Sequence, residues 1–393
     1  MKIVHIITDL AFGGAEMLLV GLIRTSQRDG LEHVVISLSA EAPLAERLVS
    51  LGVQVRILGM GRSAPSARLF RQLVQWLDEL EPDVVQTWMY HADLLGGTAT
   101  YAAQALRRLR GGHAKRPALV WGIHHTDLRL TGSSQITRWV ARACALMSSR
   151  VPDVIVCCAE AAKSSHRLGG YCGGRMKVIH NGIDLNRYRA SSDARENLRR
   201  SLGIDAFAPV VGIVGRYHPV KDHATFAAAM RVVLDARPQC RFVMMGQGLE
   251  PGNAELVALL DATQTRHACH LLGPQPELQT LLGGLDVFCL SSKSEGLPMV
   301  IGEAMACEVP CVATDVGDTA LLIGSTGRVV PPEDPTALGR ALIAMLSLPH
   351  SERAALGQAA RSRIQNLFSM EASWRRYEET YVQTLVKLER PAA

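Results

Sequence analysis

Short apolar runs rich in β-branched residues alternate with segments of helical period from one end of the chain to the other. In the first half the predicted strands cover residues 2–8, 33–38, 53–58, 83–87, 118–123 and 153–157. In the second half they cover 210–214, 241–245, 268–271, 286–290, 310–313 and 328–330. Runs this short and this continuously apolar, separated by helices, predict parallel sheets covered on both faces. The series occurs twice, which predicts two doubly wound α/β domains. Asn181-Gly182-Ile183-Asp184 carries a strong turn signal between the two series. A polar helical stretch, 191–204, follows it, and the second apolar series begins at Pro209. The expected divisions are residues 1–185, 186–368 and a terminal helical segment, 369–393. In that last segment Trp374, Tyr377, Tyr381, Leu385 and Leu388 fall roughly on one helix face, which requires a partner surface.

A length of 393 residues exceeds one ordinary core and suits two domains. With 48% hydrophobic and 20% charged residues the chain excludes disorder. Aromatic residues are only 5%, and no basic stripe is interleaved with them, so no nucleic-acid partner is expected. The net charge of +5 is uneven, +6 over residues 1–185 and −1 over 186–393. A basic first half fits a phosphate-bearing substrate, an anionic membrane surface or ordinary surface charge. The nine cysteines lack a C-x-x-C pair and read as reduced, structural thiols of a cytoplasmic protein. Met1-Lys2-Ile3-Val4-His5-Ile6-Ile7 reads as a strand and not as a signal peptide. No apolar run reaches membrane-spanning length, so any expected membrane contact is peripheral, at the inner face.

Four segments at strand ends carry candidate chemistry. Ser294-Glu295-Gly296-Leu297-Pro298 follows an apolar strand and feeds a helix that holds Glu303 one to two turns in. Free amides and the positive dipole end at such a helix start suit a phosphate, and the two carboxylates suit hydroxyls. Gly215-Arg216-Tyr217-His218-Pro219-Val220-Lys221 follows another strand. Its Arg216 and Lys221 offer a fork and a point charge to a diphosphate, where ligands of open α/β sheets bind. Asp9-Leu10-Ala11-Phe12-Gly13-Gly14-Ala15-Glu16 follows the first strand. Gly13 and Gly14 permit close backbone approach to a ligand, but G-x-G-x-x-G is absent, which disfavours a nicotinamide-dependent dehydrogenase. His124-His125-Thr126-Asp127 ends the strand 118–123. Adjacent histidines in an extended segment face opposite ways and rarely share one metal ion. His91 reads as structural. No Asp-x-Asp loop follows a strand, so neither a metal nor a cofactor is expected.

Together these pieces resemble the retaining glycosyltransferases of the GT-B fold, family four. The residues that carry the resemblance are Gly13-Gly14-Ala15-Glu16, Gly215-Arg216 with Lys221, Asn181-Gly182-Ile183-Asp184, and Glu295-Gly296-Leu297-Pro298 running to Glu303. The resemblance implies two Rossmann-like domains facing a cleft, with the terminal helix crossing back onto the first. It implies a nucleotide-sugar donor, commonly a UDP-sugar, held mainly by the second domain. Glu303 is implied to hold the ribose, Glu295 the donor sugar, and Arg216 and Lys221 the diphosphate. Amides near Gly14, Gly296 and Leu297 would assist. His124 or His125 would take the place of the family's active-site histidine, and which of them does so is left open.

The expected function is metal-independent, retaining transfer of a sugar to a glycan or lipid-linked acceptor in cell-surface polysaccharide or glycolipid biosynthesis. A sugar-nucleotide epimerase of the same fold and a non-catalytic sugar-nucleotide-binding protein are the alternatives. The span holding Arg107, Arg108, Arg110, Lys115 and Arg116, and the helical segment 137–149 with Arg138, Trp139, Arg142, Leu146 and Met147, suggest contact with anionic lipid. The same helix could instead turn its apolar side to the core beneath a solvated basic rim.

Overall fold

The structure, a computed structural model, describes residues 1–27, 30–61, 66–111, 115–125 and 134–389. Thr126 and Asp127 of the histidine loop lie outside the described residues.

The elements of the first half are β1 (Lys2–Ile7), α1 (Gly14–Ser26), β2 (Glu32–Ser39), α2 (Ala45–Ser50), β3 (Gln54–Met60), α3 (Ala67–Leu80), β4 (Val84–Trp88), α4 (Tyr90–Leu109), β5 (Ala118–Ile123), α5 (Gln135–Met147), β6 (Val154–Cys157), α6 (Glu160–Leu168) and β7 (Met176–Val178). Those of the second are α7 (Ala194–Leu202), β8 (Val210–Val214), α8 (His223–Ala236), β9 (Arg241–Met245), α9 (Ala254–Ala262), β10 (Cys269–Gly273), α10 (Leu278–Leu282), β11 (Val287–Leu290), α11 (Met299–Ala306), β12 (Cys311–Thr314), α12 (Thr319–Ile323), β13 (Arg328–Val330), α13 (Pro335–Ser347), α14 (His350–Leu367) and α15 (Met370–Glu389). Strand β7 has no counterpart among the predicted strands. It has only three residues, of which Met176 alone is buried, so it lacks a readable pattern.

Two units result. Met1–Gly182 and the last helix form one, and Ile183–Ser369 forms the other. The first holds a parallel sheet in the order β3-β2-β1-β4-β5-β6-β7. The second holds a parallel sheet in the order β10-β9-β8-β11-β12-β13. The central strands are buried throughout; β4 and β5 expose no residue. Chain direction along each sheet reverses once, between β1 and β4 and between β8 and β11. In open α/β sheets the carboxyl ends of strands at such a reversal form the ligand crevice.

Helix α15 belongs to the first unit. Its Trp374, Tyr377 and Tyr381 are buried in one cluster with Leu19, Ile23 and Val120, and Leu385 and Leu388 pack at its edge. The Tyr381 hydroxyl donates to Gln86 Oε1 at 3.0 Å, and the Ser373 hydroxyl donates to the His180 carbonyl at 2.9 Å. In the second unit the sheet is covered on both faces by apolar clusters. An ion pair braces the amino end of its two central strands, where Arg199 Nη2 meets Asp286 Oδ2 at 2.6 Å and the same oxygen accepts the Val210 amide at 2.8 Å.

Candidate active site

In the second unit the two loops singled out by charge flank the sheet reversal, one after β8 and one after β11. They meet directly. Lys221 Nζ lies 2.6 Å from Glu295 Oε1, and the buried Ser292 hydroxyl donates to the same oxygen at 2.6 Å. Ser291 donates to the Lys221 carbonyl at 2.8 Å, and the Lys293 amide donates to the Val220 carbonyl at 2.8 Å. Arg216 stands exposed in the same loop. Among the described residues nothing pairs with its guanidinium.

The glutamate loop is held from the far side by the turn after β12. Gly317 has φ +57, and a Cβ there would fall 2.3 Å from the Glu295 carbonyl and 2.4 Å from that of Gly296. The Asp318 amide donates to the Gly296 carbonyl at 2.8 Å. Gly296 and Leu297 are half-buried and lead into α11, whose first turn has no side-chain cap. The Ile301 amide is taken by the Pro298 carbonyl at 3.0 Å, which leaves the first two amides of the helix, those of Met299 and Val300, for an anion.

Glu303 is half-buried in the second turn of α11. Burial pushes its carboxyl above the ordinary glutamate value, while the Tyr188 hydroxyl and the Arg187 charge pull it back. The loop after β9 completes this end of the sheet. Gly246 has φ +135, and a Cβ there would lie 2.0 Å from the Gly215 carbonyl. The Tyr217 amide donates to the Gln247 carbonyl at 2.7 Å.

In the first unit Gly13 and Gly14 start α1 directly beyond β1. A Cβ on Gly14 would stand in open space. His124 and His125 follow β5, and the structure separates them. The His124 ring is stacked on Trp88, with centroids 4.9 Å apart and planes at 17°. A Cβ on Gly122 would come within 3.3 Å of His124 Nε2, so the ring lies over its own strand. Burial lowers the His124 imidazole to about 4, against a smaller opposing pull from Asn181. Neither His124 nitrogen makes a full hydrogen bond among the described residues. His125 is half-buried and has no ring partner of this kind among the described residues. Among the described residues no three His, Cys, Asp or Glu side chains gather as a metal site.

Residues 12–187 match the family model described as Glycosyltransferase Family 4, and residues 208–347 match the model described as Glycosyl transferases group 1. The chain belongs to the GT-B glycosyltransferases. A relative named "Putative glycosyltransferase EpsF", from Bacillus subtilis, is 26% identical over 324 residues, which are 80% of this chain and 79% of that protein. The D-inositol 3-phosphate glycosyltransferase of Corynebacterium jeikeium is 32% identical over 208 residues. That match spans 50% of this chain and only 49% of the relative. Among solved structures, HepE of Anabaena in complex with UDP has a TM-score of 0.80 at 22% identity, covering 98% of this chain and 100% of HepE.

Several contacts of this glycosyltransferase have no local sequence signal. Ser292, Tyr188 and Gly317 reach the glutamates from other positions, and Trp88 reaches His124 from a neighbouring strand. The basic span read as lipid-facing is largely engaged within the unit. Arg107 and Arg110 pair with Asp78 at 2.8 and 2.7 Å, Arg116 with Asp153 at 2.9 Å, and Lys115 with Glu389 at 2.7 Å. Helix α5 faces the core through Ala141, Cys144 and Ala145 but turns its largest apolar side chains outward. Ile136, Trp139 and Leu146 are 58, 66 and 81% exposed, and the Arg142 guanidinium sits 5.2 Å from the Trp139 ring centroid.

Proposed function

We propose that this glycosyltransferase binds a nucleotide sugar, with a UDP-sugar favoured, at the β8 and β11 loops. It then transfers the glycosyl group with retention to a glycan or lipid-linked acceptor of cell-surface polysaccharide or glycolipid synthesis. The observation that carries this reading is the Lys221–Glu295–Ser292 cluster at the sheet reversal, with Arg216 in the same loop unpaired among the described residues. It sets a cation for phosphate oxygens next to a carboxylate for sugar hydroxyls.

Cleaving the glycosyl–phosphate bond develops positive charge at the sugar and negative charge on the departing diphosphate. Arg216, Lys221 and the amides of Gly296 and Leu297 would stabilise the diphosphate as fixed charges and dipoles, without a resident metal. Glu303 would accept from the ribose and Glu295 from the donor sugar. Within the first unit, taken by itself, His124 is our candidate for a sugar-contacting group, and the Gly13–Gly14 loop for backbone amides that meet an anion. The acceptor hydroxyl would attack on the face from which the diphosphate leaves, and the leaving phosphate oxygen would take its proton. That HepE was solved with UDP supports the choice of uridine.

The exposed Ile136, Trp139 and Leu146, flanked by Arg138 and Arg142, would rest α5 on an anionic leaflet at the cytoplasmic face, close to a lipid-linked acceptor. Three experiments test the reading. Release of UDP or GDP from a panel of sugar nucleotides, with and without EDTA, should select one donor and persist in EDTA. NMR of the transferred sugar should show retention. Flotation with anionic liposomes should carry the protein upward, and Trp139→Ala with Arg142→Ala should abolish it.

A further inference from the structure

Behind His124 the first unit contains a buried chain of hydrogen bonds that transfer does not itself require. Trp88 Nε1 lies 3.4 Å from His5 Nδ1, His5 Nε2 lies 3.0 Å from His33 Nδ1, and His33 Nε2 lies 2.8 Å from Ser26 Oγ. The Ser26 hydroxyl lies 2.9 Å from the Ile23 carbonyl. Every member is buried: Trp88 and Ser26 fully, His5 to 1% and His33 to 7% exposure.

The direction of the chain follows from its two ends. An indole N–H can only donate, and a carbonyl can only accept. His5 Nδ1 must therefore accept from Trp88, which puts the His5 proton on Nε2. His33 Nδ1 accepts that proton's bond, so the His33 proton is also on Nε2 and goes to Ser26. Ser26 then donates to Ile23. Counting from the carbonyl end yields the same tautomers, and no donor or acceptor in the chain is left over. A second proton on either ring would set two donors face to face. Consistently, burial holds both imidazoles well below their ordinary value, His33 at about 4, with the Met1 amino group adding to the push on His33.

Trp88 joins this chain to the site. Its Nε1 is fixed by His5, one neighbour is Tyr377 at 6.2 Å, and its face stacks on His124. His124 has no full hydrogen bond of its own among the described residues; Asn181 reaches its edge, and the indole supplies the stacked face that sets the plane of its ring. We propose that His5 and His33 are positioning residues for glycosyl transfer, holding the His124 ring through the Trp88 indole. The inference rests on the reading of His124 as the group that meets the sugar.

The test combines the intact protein with one variant cycle. Long-range proton–nitrogen NMR of the histidine rings should show His5 and His33 protonated on Nε2. Neither should titrate between about pH 5.5 and pH 8. Trp88→Phe keeps an aromatic face for His124 but removes the donor that ties it to His5. In donor hydrolysis it should lower kcat about tenfold with KM within about twofold, and should add nothing in a His124→Ala background. An Nδ1–H tautomer at either histidine, with His124→Ala still impaired, would overturn the positioning chain alone. So would a Trp88→Phe loss that multiplies with that of His124→Ala. Full hydrolysis by His124→Ala would overturn the functional claim together with the reading beneath it, even with the tautomers as drawn.

Discussion

Glu295→Gln is expected to move nucleotide binding and sugar transfer in opposite directions. In the free protein Lys221 Nζ is tied to Glu295 Oε1 at 2.6 Å, and their side chains are 22 and 13% exposed. Two unit charges about 4 Å apart attract by about 4 kcal/mol at an effective dielectric constant of about 20. Desolvation cancels much of this, leaving a net of about 1–2 kcal/mol for a partly buried, charge-assisted pair. A diphosphate must displace the carboxylate from Lys221 or share the lysine with it. The glutamine keeps the shape and can still accept from Ser292, but it releases most of the ion-pair energy. UDP, or GDP if that is the base, should therefore bind about 5–30-fold tighter to Glu295→Gln than to wild type. Turnover of the nucleotide sugar should fall at least tenfold, because the carboxylate for the sugar hydroxyls is gone. Isothermal titration with the free nucleotide and a product-release assay measure the two effects. A weaker nucleotide affinity in Glu295→Gln, with a wild-type melting curve, would refute the competition between Glu295 and phosphate for Lys221.

Other consequences follow from the same geometry. Burial raises the Glu303 carboxyl, so on acidification it takes up its proton above the ordinary glutamate range and loses acceptors for hydroxyls. Donor affinity should fall from a correspondingly higher pH, and Glu303→Gln should be weaker and flat across that window in a fluorescence titration. His33 is lowered from 6.5 to about 4, so the unfolded chain binds more protons between those values and acidification destabilises the fold. The full window corresponds to about 3 kcal/mol, and His33→Gln should flatten the pH slope in chemical denaturation. Gly246→Ala should cost at least about 2 kcal/mol in the melt, since φ +135 and a contact of 2.0 Å with the Gly215 carbonyl both oppose a methyl group. Asp286→Ala strands Arg199, whose Nη groups keep the carbonyls of Ala208 and Gly284 at 3.0 and 3.1 Å. The cost should be about 3 kcal/mol, or about 6–12 °C in Tm.

Most of the fold was legible because a parallel strand buried on both faces is a continuous apolar run. The bounds of β5, β8, β9 and β13 coincide with the expected ones. The others shift by one or two residues; at the starts of β4, β6, β11 and β12 the shifted residue is an Asp or Pro that leads into the strand, as Asp83 and Pro310 do. The pattern was lost at β7, where Lys177 and Val178 are only half-buried. The charged loops were legible for a related reason: Arg216, Lys221 and Glu295 each lie in the connection that leaves a strand, so their place beyond its carboxyl end could be counted. Contacts across the fold could not. Trp88 meets His5 from 83 positions away and His5 meets His33 from 28, and no local pattern links such residues. The outward face of α5 was ambiguous because Ile136, Trp139 and Leu146 at helical spacing look the same whether they face a core or solvent.

The most direct measurement is a thermal-shift panel of UDP- and GDP-sugars, with and without EDTA, on wild type and Glu303→Ala. A shift from one nucleotide sugar that survives EDTA and disappears in the variant is the expected result. It would establish the donor site of the second unit and name the base. A well-folded wild type that no sugar nucleotide stabilises, or a shift undiminished in Glu303→Ala, would contradict the placement of the donor on the β8 and β11 loops.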